Sequence, residues 1–113
     1  MIAMKLPNGD RADLGAKLAD YVLNPLHRHG QHEARVFESV MGITLANGEV
    51  LAVALRVAAA NSTNALSKGD NGFGQNYSLR FPMRTRKGTA TVLSAWIVLH
   101  GEDFPRLTTC FIV

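Results

Sequence analysis

The hydrophobic period of the chain changes near residue 76, and neither an all-helical nor an all-strand fold survives that change. Upstream, apolar residues recur at helical spacing. Leu14, Leu18 and Val22 fall at i, i+4 and i+8, one stripe of a helix, which predicts a short helix over 16–23. Pro25 ends it, because the residue before a proline avoids the helical region. Ala34, Phe37 and Met41 share a face of a second helix predicted over 31–41, with Gly42 as its stop. A third is predicted over 49–60, after an Asn47-Gly48 turn. There LAVALRVAAA is apolar nearly all round, with Glu49 and Arg56 as the charged exceptions, the pattern of a buried helix.

Downstream the period is two. Tyr77, Leu79, Phe81 and Met83 alternate with Ser78, Arg80, Pro82 and Arg84, a half-buried strand that Pro82 assigns to an edge. Arg86-Lys87-Gly88 predicts a hairpin turn. Residues 89–99 are rich in β-formers and apolar on both parities, as a central strand is. His100-Gly101-Glu102-Asp103 turns the chain into a last strand over 106–113. Residues 61–76, full of Ser, Asn and Gly, predict a loop, and 11–14 a short strand or an extended lead-in. Helices followed by sequential hairpins give α+β, with N-terminal helices packed on a C-terminal antiparallel sheet of about four strands. The expectation is one domain over 1–113, with a helical half at 14–60 and a sheet half at 76–113.

A chain of 113 residues, 47% hydrophobic, buries a core without a disulfide. Cys110 is the single cysteine, which fits a reducing cytoplasm. No apolar run approaches the ~20 residues of a membrane span, and the N-terminus lacks a secretory apolar stretch. The expected protein is cytoplasmic and off the membrane.

Charge is distributed unevenly. Residues 1–60 carry six Lys/Arg and six Asp/Glu, whereas 61–113 carry six and three, so the net +3 sits in the sheet half. Strand geometry puts Arg80, Arg84 and Arg86 on one side. A row of guanidinium forks suits phosphate; the same row also protects a strand edge from aggregation. His27, His29 and His32 cluster within six residues. Imidazole is the natural acid/base of RNA transesterification, although exposed or capping histidines look the same. No cysteine or carboxylate completes a zinc spacing, so no metal and no cofactor is expected. His32, Arg35 and Ser39 share a helix face. Arg106 and Thr108 share a strand face and could hold an anionic oxygen. Trp96 reads as core or site wall. Cys110, without a neighbouring base, reads as a packing residue.

Two segments, LPNGDRADLGAKLADYVLNPLHRHGQHEARVF and WIVLHGEDFPRLTTCFIV, resemble an uncharacterised bacterial domain family. Its members occur as small solitary proteins and as C-terminal domains of polymorphic or contact-dependent toxins. The resemblance covers most of the chain and is specific at LPN, at KL-x-x-Y-x-LNP-x-H-x-x-G, at AR-x-F and at the tryptophan followed by PRLTT; residues 61–75 match poorly. It implies a ribonuclease-like fold of the barnase/EndoU/colicin/RelE type, acting on RNA, with tRNA among the candidate substrates, without a metal, and a cognate immunity-type protein as partner. The positions that match its motifs and suit such chemistry are His27, His32, Arg35, Trp96, Arg106 and Thr108. Glu33 departs from the family, which often has lysine there.

Three readings follow. In a metal-independent ribonuclease, His27 or His32 would move the proton, Arg106 and Arg35 would hold the phosphate, Thr108 would orient the oxyanion and Trp96 would contact substrate. In a non-catalytic module, Arg80, Arg84 and Arg86 would bind RNA or an acidic protein. In a structural protein, the apolar last strand would pair with another chain, making a homodimer rather than a monomer. The first requires the cationic side of the sheet and the imidazoles to share one cleft.

Overall fold

The computed structural model describes residues 3–113. A 3-10 turn at Gly9–Arg11 and a π-helical turn at Leu18–Val22 lead into helix α1, Gln31–Val36, which runs on as a π-helical turn over Phe37–Met41. Helix α2 spans Glu49–Asn61. Four strands follow: β1 at Leu66–Asp70, β2 at Gly74–Arg84, β3 at Thr89–Leu99 and β4 at Arg106–Ile112. They form one antiparallel sheet in the order β1-β2-β3-β4. The α+β expectation holds, and so does the reading of helices first and sheet second.

The sheet has a covered face and an open one. Register pairs Tyr77 with Trp96, Leu79 with Ser94 and Phe81 with Val92. The apolar residues of these pairs, with Cys110 and Leu107 of β4, join Val22, Phe37, Met41, Leu51 and Leu55 in one core. At about 25 cal/mol per Å² of apolar surface, such burial dominates the fold's stability. Trp96 has no exposed surface. Its indole N–H donates to Ser94 Oγ at 2.9 Å, and Ser94 donates to the Leu79 carbonyl at 3.0 Å, so every polar atom of this buried pair finds a partner. The side chain expected to meet substrate therefore sits in the core, because its parity on β3 aims it at the helices.

Two local departures have physical causes. Residues 66–70, expected as loop, form β1; their polar side chains carry no alternation signal, and pairing with β2 supplies the strand, with a register shift between Ser67 and Gly69. β2 is second in the sheet rather than outermost, yet β1 pairs with it only as far as Ser78. Beyond that point its outer side is free, and Pro82 sits there. Thr91, opposite Pro82, accepts a bond from Val113 on its other side, so the missing proline N–H faces the free edge. The Asn64 amide caps that edge at the Arg80 carbonyl.

The N-terminal segment laces the two flanks of the sheet. Met4 exchanges backbone hydrogen bonds with Ala65, and Asp13 with Pro105 and Leu107. Gly9 is packed so tightly on α2 that a Cβ there would lie 1.9 Å from the Ala59 carbonyl oxygen. At the other end of the helical layer, Gly42 stops the π-helical turn at φ 68°, where an L side chain is strained.

Candidate functional site

The open face of the sheet is built by the alternate residues of each strand. On β2 these are Asn76, Ser78, Arg80, Pro82 and Arg84, opposite Ile97, Ala95, Leu93, Thr91 and Thr89 of β3. β4 adds Thr109 and Phe111, the latter paired with Leu93. Lys68 and Leu66 of β1 line a shallow groove with Ser78, Arg80 and Leu93. Arg80 and Arg84 are four residues apart on one strand, hence ~13 Å by strand rise. Among the described residues, no Asp or Glu occupies a strand position on this face. The exposed cations on it are Lys68, Arg80 and Arg84, above a half-buried floor of Leu93 and Phe111, while at its β4 side Arg106, opposite Ile97, is paired with Glu102 and Asp13. Arg86 leaves this row: it lies in the β2–β3 turn, which is closed by Thr85 N–H to the Gly88 carbonyl at 2.8 Å. Lys87 beside it turns to the helices and donates to the Glu38 carbonyl at 3.0 Å.

The remaining expected groups do not add to this row. His27, His32 and Arg35 belong to the helical layer, so the sheet stands between them and the Arg80–Arg84 row. His27 Nδ1 accepts the backbone N–H groups of His29 and Gly30, both at 3.0 Å, and its ring packs edge-on to Tyr21 at 4.8 Å. Its first role is to close the loop into α1. His32 is exposed, and Arg35 reaches back one turn to Gln31 at 3.1 Å. Arg106 is gripped by acids: both Glu102 oxygens at 2.8 Å and Asp13 at 3.0 Å. Its guanidinium also lies 4.9 Å from the Phe104 ring centre. The Arg106 hydrogen bond holds the Glu102 carboxyl below its usual range. Thr108 donates to the Ala95 carbonyl at 2.9 Å. Arg35, Arg106 and Thr108, the three groups expected to meet phosphate and oxyanion, are thus already partnered within the protein. Cys110 is buried, and desolvation, helped by the Glu33 charge, pushes its thiol up to about 12, so it stays protonated and unreactive.

One polar pair escaped the sequence reading. His100 Nε2 lies 2.6 Å from Asp70 Oδ2, and the other Asp70 oxygen accepts the Gly72 N–H at 2.7 Å. The two residues are 30 apart in sequence, each in what reads as a turn, and only the β1-β2-β3 order brings them together. The His100 hydrogen bond, then that of Gly72, lowers the Asp70 carboxyl from its ordinary range. A carboxyl lowered on folding contributes stability that is present above its unfolded pKa and is lost as pH falls through its folded one. Replacing His100 by alanine will raise the Asp70 titration midpoint toward the ordinary aspartate value. Carboxyl chemical shifts followed against pH check this; an unmoved midpoint would show that the imidazole is not its partner.

A family model described as a domain of unknown function, DUF6883, matches residues 5–113. The chain belongs to that family. No curated protein matches it. The DUF6883 match spans both the helical layer and the sheet, including the open face. Among the described residues of this DUF6883 domain, no helix is long and apolar enough to cross a membrane, and no cluster of three or more His, Cys, Asp or Glu side chains could hold a metal ion.

Proposed function

We propose that this domain is a non-catalytic module that holds single-stranded RNA on the open face of its sheet through Lys68, Arg80 and Arg84. The observation that carries the reading is the cationic strip of Lys68, Arg80 and Arg84, with no acid at the strand positions of this face, beside an aromatic and aliphatic floor. Cations along a groove take the phosphates, and an aromatic ring such as Phe111 gives a base something to stack on, the combination that single-strand binders use. Uncovered β positions suit this role because side chains stand perpendicular to the sheet and leave a strip along the strands. The reading also accounts for Pro82, which keeps the free edge of β2 from accepting a foreign strand and so leaves the face itself as the contact.

The test is fluorescence anisotropy of a labelled single-stranded oligonucleotide in EDTA, across a salt series. Two or three phosphate contacts predict that log affinity falls with log salt at a slope of about −1.4 to −2, at ~0.7 per contact for single strands. Salt-insensitive or absent binding would overturn the proposal. Binding of polyglutamate but not RNA would reassign the face to an acidic protein. Cleavage of the oligonucleotide in EDTA would instead support the metal-independent ribonuclease that the resemblance to toxin C-terminal domains implies, with His32 and Arg35 as the first groups to replace.

A further inference from the structure

Helix α2 is apolar on two opposite faces, and the fold uses only one. Leu51, Leu55 and Ala58 face the core and are buried. At 100° per residue, Val50, Val53 and Val57 point the opposite way, and they are 47%, 50% and 56% exposed. β-Branched residues lose rotamer freedom in a helix, so three exposed valines lower this helix's own propensity and add nothing to the core. Their spacing, i, i+3, i+7, with Ala60 completing i+10, is the narrow stripe of a coiled-coil seam rather than the wider stripe that packs into a globular core.

The charges beside the stripe indicate what covers it. Glu49 and Arg56 each precede a seam valine by one residue, so both flank the stripe on the same side, two turns apart. Within one chain they meet only at 3.4 Å, with side chains 76% and 54% exposed. Two copies of the helix laid antiparallel and centred on Val53 bring Val50 of each opposite Arg56 of the other, and Val57 opposite Glu49. Glu49 of each copy then flanks Arg56 of the other. The arrangement is self-complementary: the seam meets itself, and both charge pairs form across it. This is the isologous geometry of a two-fold dimer. A parallel arrangement would instead carry the charges of the two copies to opposite sides of the seam, where neither pair can form.

We propose that α2 is the interface of a homodimer, a second copy of this chain packing antiparallel on the Val50–Val53–Val57 stripe with Glu49 and Arg56 paired between copies. The interface lies on the helical side and leaves the open sheet face clear, so its failure and the failure of the RNA reading are separately visible.

The experiment is sedimentation equilibrium of the full chain across a wide concentration range, with circular dichroism to confirm folding. Wild type is expected to pass from monomer to dimer mass. Val53→Lys, which would place an unpaired charge in the seam, is expected to raise the dissociation constant by roughly tenfold or more. Glu49→Arg and Arg56→Glu each leave like charges facing each other and should be weakened dimers. Mixed together, these two variants should form a heterodimer, a result that distinguishes the antiparallel seam from any other apolar contact. A wild type that stays monomeric at every concentration would overturn the proposal, and so would a dimer indifferent to all three substitutions.

Discussion

Replacing Trp96 by alanine is expected to cost about 3–5 kcal/mol of folding free energy, the range for removing a large buried aromatic. Native domains hold only about 5–15 kcal/mol in total, so the variant would sit at or near unfolding. Two costs add together. The indole is the largest fully buried side chain and lies on the sheet's covered face among residues of the core, so its loss leaves a cavity that helix and sheet cannot both close. Ser94, itself without exposed surface, also loses the donor at 2.9 Å that satisfies its hydroxyl. Trp96→Phe separates the two costs, keeping much of the ring volume while dropping the hydrogen bond, and should be milder. Guanidinium unfolding followed by circular dichroism measures both. A loss below about 1 kcal/mol for the alanine variant, less than truncating even a buried leucine to alanine costs, would mean that this ring is not packed as described.

The double reversal Arg80→Glu with Arg84→Glu should weaken RNA binding by roughly a hundredfold or more. Hydrogen bonds to charged groups contribute about 1.5–3 kcal/mol each, and each 1.4 kcal/mol is tenfold in affinity. Both side chains are exposed, so the fold should tolerate the change. The salt slope of any residual binding should flatten, since fewer counterions are released. Arg86→Glu is the comparator. It changes the net charge by the same amount per substitution but lies in the turn beyond β2, and it should cost much less. Equal losses from Arg86 and Arg80 would mean that overall charge, not the open face, attracts the nucleic acid.

Much of this architecture is legible in the sequence because it depends on neighbours along the chain. The alternation from Tyr77 to Arg84 gives both the strand and the face each residue takes, and the unbroken apolar run of β3 matches its observed bounds. Gly42 marks a helix stop by its own conformational freedom. What stays hidden depends on partners far away in sequence. LSKGD is a strand only because β2 lies beside it. Arg106 looks like a free phosphate ligand until Asp13, 93 residues earlier, is placed against it. Trp96 could face either way, since both parities of β3 are apolar. The candidate site divides on the same line: Arg80 and Arg84 are readable from strand parity, whereas the Ala95 carbonyl that Thr108 meets is set beside it only when β3 and β4 pair. α2 shows the reverse case, where an all-round apolar sequence suggests full burial and the structure covers only half.

The lacing of the N-terminal segment across the sheet also orders events during synthesis. Each sheet hairpin joins strands adjacent in the chain and can zip up as soon as both have left the ribosome. Asp13, however, bonds to Pro105 and Leu107, so a residue made near the start waits for one made near the end. Until β4 emerges, the early helices have no complete surface to settle on, and their apolar sides remain open to chaperones.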